Sequence, residues 1–99
     1  MDKDEIIRLI KENYSVLATE YGVSRIGIFG SIVKGTMTED SDLDIVVEFN
    51  RPIGFKFIRL IQYLESLFGK KVDVITKEGI KNIRVKEVAR NIERDCIYV

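Results

Sequence analysis

The chain has 99 residues, 45 % of them apolar and 32 % charged, the balance of a folded globular protein and not of a disordered one. A chain of this length buries roughly 60 to 70 % of its unfolded surface, so one core and one domain, residues 1–99, are expected, with no added recognition domain. Sixteen basic residues match sixteen acidic ones for a net charge of zero, which leaves no electrostatic footprint for direct nucleic-acid binding.

No apolar run approaches the ~20 residues of a membrane span, and the charged start Met1-Asp2-Lys3-Asp4-Glu5 does not resemble a signal peptide; a cytoplasmic location is expected. The single cysteine, Cys96, reads as a small buried side chain and agrees with a reducing compartment. The chain lacks histidine, which excludes Ser-His-Asp and Cys-His catalysis and imidazole-based zinc sites. Any chemistry must run on carboxylates, hydroxyls and a hard metal.

In chain order, a helix is predicted from about Lys3 to Tyr21, capped by Asp2, with Glu5 completing a capping box and Gly22 as its stop. Ile6, Ile7, Ile10, Tyr14, Leu17, Ala18 and Tyr21 recur at helical spacing. Arg25 to Phe29 reads as a short strand that delivers the chain to Gly30-Ser31, and Ser31 to Lys34 as one helical turn stopped by Gly35. After the polar loop Thr36 to Ser41, the β-branched run Asp42 to Phe49 reads as a strand, and Asn50-Arg51-Pro52 as a turn. A helix follows from about Gly54 to Phe68, with Phe57, Ile58, Ile61, Leu64, Leu67 and Phe68 as its apolar face and Gly69 as its stop. Lys71 to Ile75 reads as a third strand. Thr76 caps a last helical stretch carrying Ile80, Ile83, Val88 and Ile92 on one face, broken near Lys81 to Ile83, and Ile97-Tyr98-Val99 adds a short strand. The order predicts an α/β (α+β) fold, a small mixed sheet backed by helices on one face, leaving the other face for chemistry.

Two motifs lie on these elements. Gly30 lets backbone approach a ligand, while the turn into a helix offers N–H groups, and Ser31 a hydroxyl, to phosphate oxygens. Ten residues later, Asp42 and Asp44 project to one side of a strand, ~7 Å apart along the backbone, where two carboxylates repel unless a cation lies between them. Magnesium suits such a pair because it takes oxygen ligands, keeps waters and is commonly shared with substrate phosphates. Alone, a Gly-Ser pair is a turn and an Asp-x-Asp a cap. A third carboxylate, Asp73, stands in the apolar run Val72-Asp73-Val74-Ile75, where an unpaired charge is expensive. If its strand lies beside the Asp42 to Phe49 strand, Asp73 joins the pair as metal ligand or general base.

Gly30-Ser31-x10-Asp42-x-Asp44, followed by a carboxylate on a later strand, resembles the minimal nucleotidyltransferases of the DNA polymerase β-like superfamily. It is most similar to the stand-alone MntA-type antitoxins encoded beside HEPN toxins, and the resemblance covers nearly the whole chain. It implies that Ser31 contacts the triphosphate of ATP, that Asp42 and Asp44 bind two magnesium ions, and that Asp73 helps to activate the acceptor. Manganese, which also takes oxygen ligands, would serve in the same place. Many relatives have Arg-Gly where this chain has Lys34-Gly35; lysine keeps the charge but lacks the bidentate fork, so Lys34 is either a point-charge phosphate contact or solvated surface. The implied reaction is transfer of AMP to a hydroxyl, a tyrosine of a cognate HEPN ribonuclease, within a toxin-antitoxin complex. Neutralisation by binding alone, with Lys86, Arg90 and Arg94 in the contact, and nucleotidylation of a small molecule are the alternatives.

Overall fold

The computed structural model describes all residues, Met1–Val99. Helix α1 spans Lys3–Tyr21, and the Asp2 carboxylate accepts the Glu5 N–H at 2.9 Å. Only this half of the predicted capping box forms. At the other end the Gly22 N–H bonds back to the carbonyls of Ala18 and Leu17. Strand β1 is Val23–Phe29, the turn α2 is Ser31–Lys34, and β2 is Leu43–Phe49. Helix α3, Lys56–Phe68, leads to β3, Val72–Thr76. The chain ends with α4 (Lys77–Lys81), α5 (Lys86–Asp95) and β4 (Ile97–Tyr98).

The strands form one mixed sheet in the order β3-β2-β1-β4, parallel between β2 and β3 and antiparallel elsewhere. Two-residue alternation sends Leu43, Ile45 and Val47 to one face with Ile26 and Ile28, and there Ile6, Ile10 and Leu17 of α1 meet Leu60, Leu64 and Phe68 of α3. Each fully buried side chain of this kind is worth about 1.5–3 kcal/mol over leaving it in water, so this layer holds the fold together. Within α3 the predicted phase is corrected: Leu60 is fully buried and Ile58 is 59 % exposed.

Val46 projects to the opposite face and is also buried, although it lies outside that core. Ile75, in register with Val46, packs beneath α4: a Cβ built on Gly79 would stand 3.2 Å from its Cγ1. Thr76 caps α4 by accepting the Gly79 N–H at 2.9 Å. The break between α4 and α5 comes at residues 82–85, so the predicted common face is not continuous. Ile80 is buried, whereas Val88 is 46 % exposed and α5 buries no residue. Lys86, Arg90 and Arg94 are all exposed.

The short strand β4 docks because Gly27 has no side chain. A Cβ there would lie 3.0 Å from Cys96 Sγ and 2.8 Å from the Ile97 carbonyl oxygen, and the second contact is relieved only by a backbone shift. Gly27→Ala is therefore expected to cost about 1–3 kcal/mol. It should also speed hydrogen exchange of the Val99 N–H, which donates to the Ile26 carbonyl at 2.8 Å. Unchanged Val99 protection in the variant would show that the strand accommodates the methyl group.

Candidate active site

The N-terminal ends of β2 and β3 carry the carboxylates. Asp42 directly precedes β2 and Asp44 is its second residue; the Leu43 N–H between them donates to the Lys71 carbonyl at 2.9 Å, tying the two strand starts together. Beyond that bond the parallel register pairs Asp44 with Asp73. Neighbouring strands lie ~4.8 Å apart and paired residues point to the same side, so these two side chains are neighbours on the face away from α1 and α3. On the outer edge of β3, the Val72 N–H donates to the Glu65 carboxylate of α3 at 3.2 Å, which fixes the strand one residue before Asp73.

The preceding loop is also tied down. Ser41 Oγ accepts the Thr38 N–H at 3.0 Å, and Lys70 Nζ donates to the Thr38 carbonyl at 3.3 Å.

Burial is shared unequally. Asp42 and Asp73 are exposed and Asp44 is half-buried. Contrary to the expectation from its apolar neighbours, Asp73 is not a buried charge, because β3 is an edge strand. Asp44 carries the electrostatic strain instead: burial, then the charge of Asp73, then that of Asp42, push its carboxyl above the usual carboxylate range. The molecule's ion pairs are Arg8 with Glu12, Arg25 with Glu48, Lys77 with Glu48 and Arg94 with Asp95, so no cationic side chain neutralises the three aspartates.

Beside Asp44 lies the Gly-Ser turn. Phe29 is paired with Asp44 across β1 and β2, and Gly30 follows with φ 73° and ψ −141°, a conformation that side chains disfavour. Gly30 accepts from the Val33 and Lys34 N–H groups at 3.1 Å each. The Ser31 and Ile32 N–H groups head the turn, where no earlier helical carbonyl exists to receive them. Lys34 closes α2 and is exposed.

The three aspartates suit a hard dication. They offer only carboxylate oxygens, and burial and two like charges oppose the ionised form of Asp44, a conflict that a cation would relieve. No three of these groups approach closely enough to form a complete ligand set by themselves. The arrangement fits an ion held by one or two carboxylates and completed by water and phosphate, and not a closed protein cage.

Sequence reasoning did not identify the far end of this face. Glu48 lies 3.6 Å from Arg25 and 3.5 Å from Lys77, and the Arg25 guanidinium stacks 3.6 Å from the centre of the Tyr98 ring. The Arg25–Glu48 cross-strand pairing was the available signal, but it requires the register. Cys96, expected to be buried, is half-buried, and burial raises its thiol pKa against the lowering effects of Tyr98 and Arg25. A cleft of ≈ 570 Å³ lies between the Asn50–Ile53 turn and α4, at the opposite end of β2 from Asp44. The carboxylates lie outside it, with Asp42 and Asp73 exposed and Asp44 half-buried.

A family model described as a nucleotidyltransferase domain matches residues 4–99. A Methanocaldococcus jannaschii protein provisionally named a protein adenylyltransferase is 44 % identical over 98 residues, covering 96 % of this chain and 95 % of its own. The protein adenylyltransferase MntA of Thermococcus cleftensis is 39 % identical over 97 residues, covering 97 % of this chain and 94 % of its own. A solved structure assigned provisionally as a minimal nucleotidyltransferase superposes with a TM-score of 0.74 at 32 % identity, covering 98 % of this chain and 95 % of its own. A toxin-antitoxin structure with AMP-PNP shares the fold, with a TM-score of 0.64 at 21 % identity and coverage of 99 % and 72 %.

Proposed function

The chain belongs to the nucleotidyltransferase domain family, and from that membership we propose that it transfers AMP from ATP to a tyrosine hydroxyl of a cognate HEPN ribonuclease, silencing it as an antitoxin. The observation that carries this reading is the juxtaposition of Asp44 with Asp73 on one side and the Gly30-Ser31 turn on the other. Phosphate donors and carboxylates then share one open surface, which suits an acceptor presented by another protein.

In this reading Asp42, Asp44 and Asp73 would hold magnesium, as two ions, with manganese as a substitute. When bound, the metal supplies charge neutralisation on the phosphates, a contribution of several kcal/mol. Ser31 Oγ and the N–H groups heading α2 hold the triphosphate tail against the turn, with exposed Lys34 available as a point charge. The acceptor oxygen attacks the α-phosphorus, its bond to the pyrophosphate oxygen breaks, and the hydroxyl proton passes to the Asp73 carboxylate. The turn receives the leaving pyrophosphate.

Incubation with magnesium, α-labelled ATP and the HEPN protein encoded beside this chain tests the proposal. Label on a partner tyrosine is expected, and it should disappear with Asp42→Asn/Asp44→Asn. No label on the partner, with an active relative labelling its own, would overturn the transfer reading; toxin protection by the unlabelling double variant would assign neutralisation to occupancy.

A further inference from the structure

Gly30 meets the requirements of a phosphate turn, but its closest neighbour belongs to the carboxylate pair. A Cβ built on Gly30 would collide with Asp44 Oδ2 and would stand 3.1 Å from Asp44 Cγ and 3.5 Å from its Cβ. One carboxylate oxygen of Asp44, Oδ2, therefore rests where a side chain at position 30 would be, with the carboxyl carbon close behind it. Gly35 gives a contrast in space alone: its φ of 75° is close to the 73° of Gly30, its ψ is 18° against −141°, and nothing lies within 4 Å of a Cβ built on it.

We infer that Gly30 is a positioning residue for Asp44, its missing side chain forming the seat that aims the Asp44 carboxylate at the metal. The phosphate turn and the metal pair are then one mechanical unit. The Asp44 backbone has little freedom to retreat, because Leu43 and Ile45 on either side are fully buried in the core, and Asp73 lies on the flank toward β3. A methyl group at position 30 must either rotate the carboxylate away or push the turn off β2. The consequence for metal binding rests on the reading of Asp44 as a ligand, whereas the seat itself rests on the contact alone.

Manganese titrated into the full chain without nucleotide, followed by electron paramagnetic resonance, reads the ligand geometry, and thermal melting reads the contact. Gly30→Ala is expected to weaken manganese binding about tenfold or more, the usual scale for removing support from a ligand. Gly35→Ala should leave manganese affinity unchanged. In an Asp44→Ala background, Gly30→Ala should no longer change manganese affinity and should lower the melting temperature less than it does in the parent.

Wild-type manganese affinity in Gly30→Ala, or an equal melting loss in both backgrounds, would overturn the inference. If Gly30→Ala fails to fold, folding of Gly30→Ala/Asp44→Ala supports the seat, and failure of both assigns the defect to backbone conformation and overturns it. If the parent chain binds no manganese, the metal reading falls, and the melting comparison still decides the contact.

Discussion

Asp44→Asn is expected to lower AMP transfer by about a thousandfold while raising the melting temperature of the metal-free protein. The loss follows if Asp44 shares the metal, because several kcal/mol of transition-state stabilisation disappear with its charge, and each 1.36 kcal/mol is about tenfold in rate. The gain follows from the charge itself. Asp44 is half-buried, in register with Asp73 and close to Asp42, with no cationic partner. Its carboxyl is pushed above the ordinary value of 3.8 by burial first and by those two charges next. The folded state thus binds this proton more tightly than the unfolded state does. Stability from Asp44 is fully present below the ordinary carboxylate range and is lost as pH rises through the raised folded value.

At neutral pH the ionised group opposes folding, and a nearly isosteric amide removes that opposition. Partial exposure screens the effect, which holds the gain to about 1 kcal/mol or less. For a domain of this size that is at most roughly 4–8 °C. Melts in EDTA at neutral pH should show the variant above the parent, with the gap closing in acid. Magnesium should raise the parent's melting temperature by linkage and leave the variant where it was. A variant that melts below the parent in EDTA at neutral pH would mean that Asp44 is satisfied by contacts within the protein and does not await a cation.

This opposition between stability and chemistry was only half legible in the chain. Spacing placed Asp42 and Asp44 ten residues after a Gly-Ser turn, and alternation put them on one side of a strand. Neither indicates which carboxylate is buried, since that depends on the neighbouring strands. Asp73, flanked by Val72 and Val74, looked like the costly charge, but it is exposed because nothing pairs beyond β3. The link from Gly30 to Asp44 spans a loop whose path is not periodic, so no local pattern could show that glycine supplies space as well as a turn. The register that sets Asp73 beside Asp44 follows from a parallel crossover through α3, whose geometry depends on packing. The helices were more legible, because their caps are local: Asp2 starts α1 and Gly22 ends it, and Thr76 starts α4. The break after Lys81 was legible, but its consequence for α5 was not: Ile80 is buried, whereas Val88, which continues its helical spacing, is 46 % exposed.

In α3 the same limit gives the sharpest stability contrast. Phe57, Ile58, Leu60 and Ile61 supply so many apolar positions that two helical phases fit, one burying Ile58 and the other Leu60. Packing against α1 and the sheet selects the second: Leu60 is 0 % exposed, in one stripe with Leu64 and Phe68, while Ile58 is 59 % exposed. Leu60→Ala is expected to cost about 2–5 kcal/mol, since the core cluster to which Leu60 belongs, with Ile6, Ile10, Ile45 and Leu64 among its members, cannot close fully over the lost atoms. Ile58→Ala should stay within about 0.5 kcal/mol, the usual range for a surface change. Marginal stability makes the first loss a large fraction of the total, so that variant should unfold at a much lower urea midpoint with little change in slope. Equal midpoints for the two variants, or a larger loss at Ile58, would mean that α3 presents its other face to the sheet.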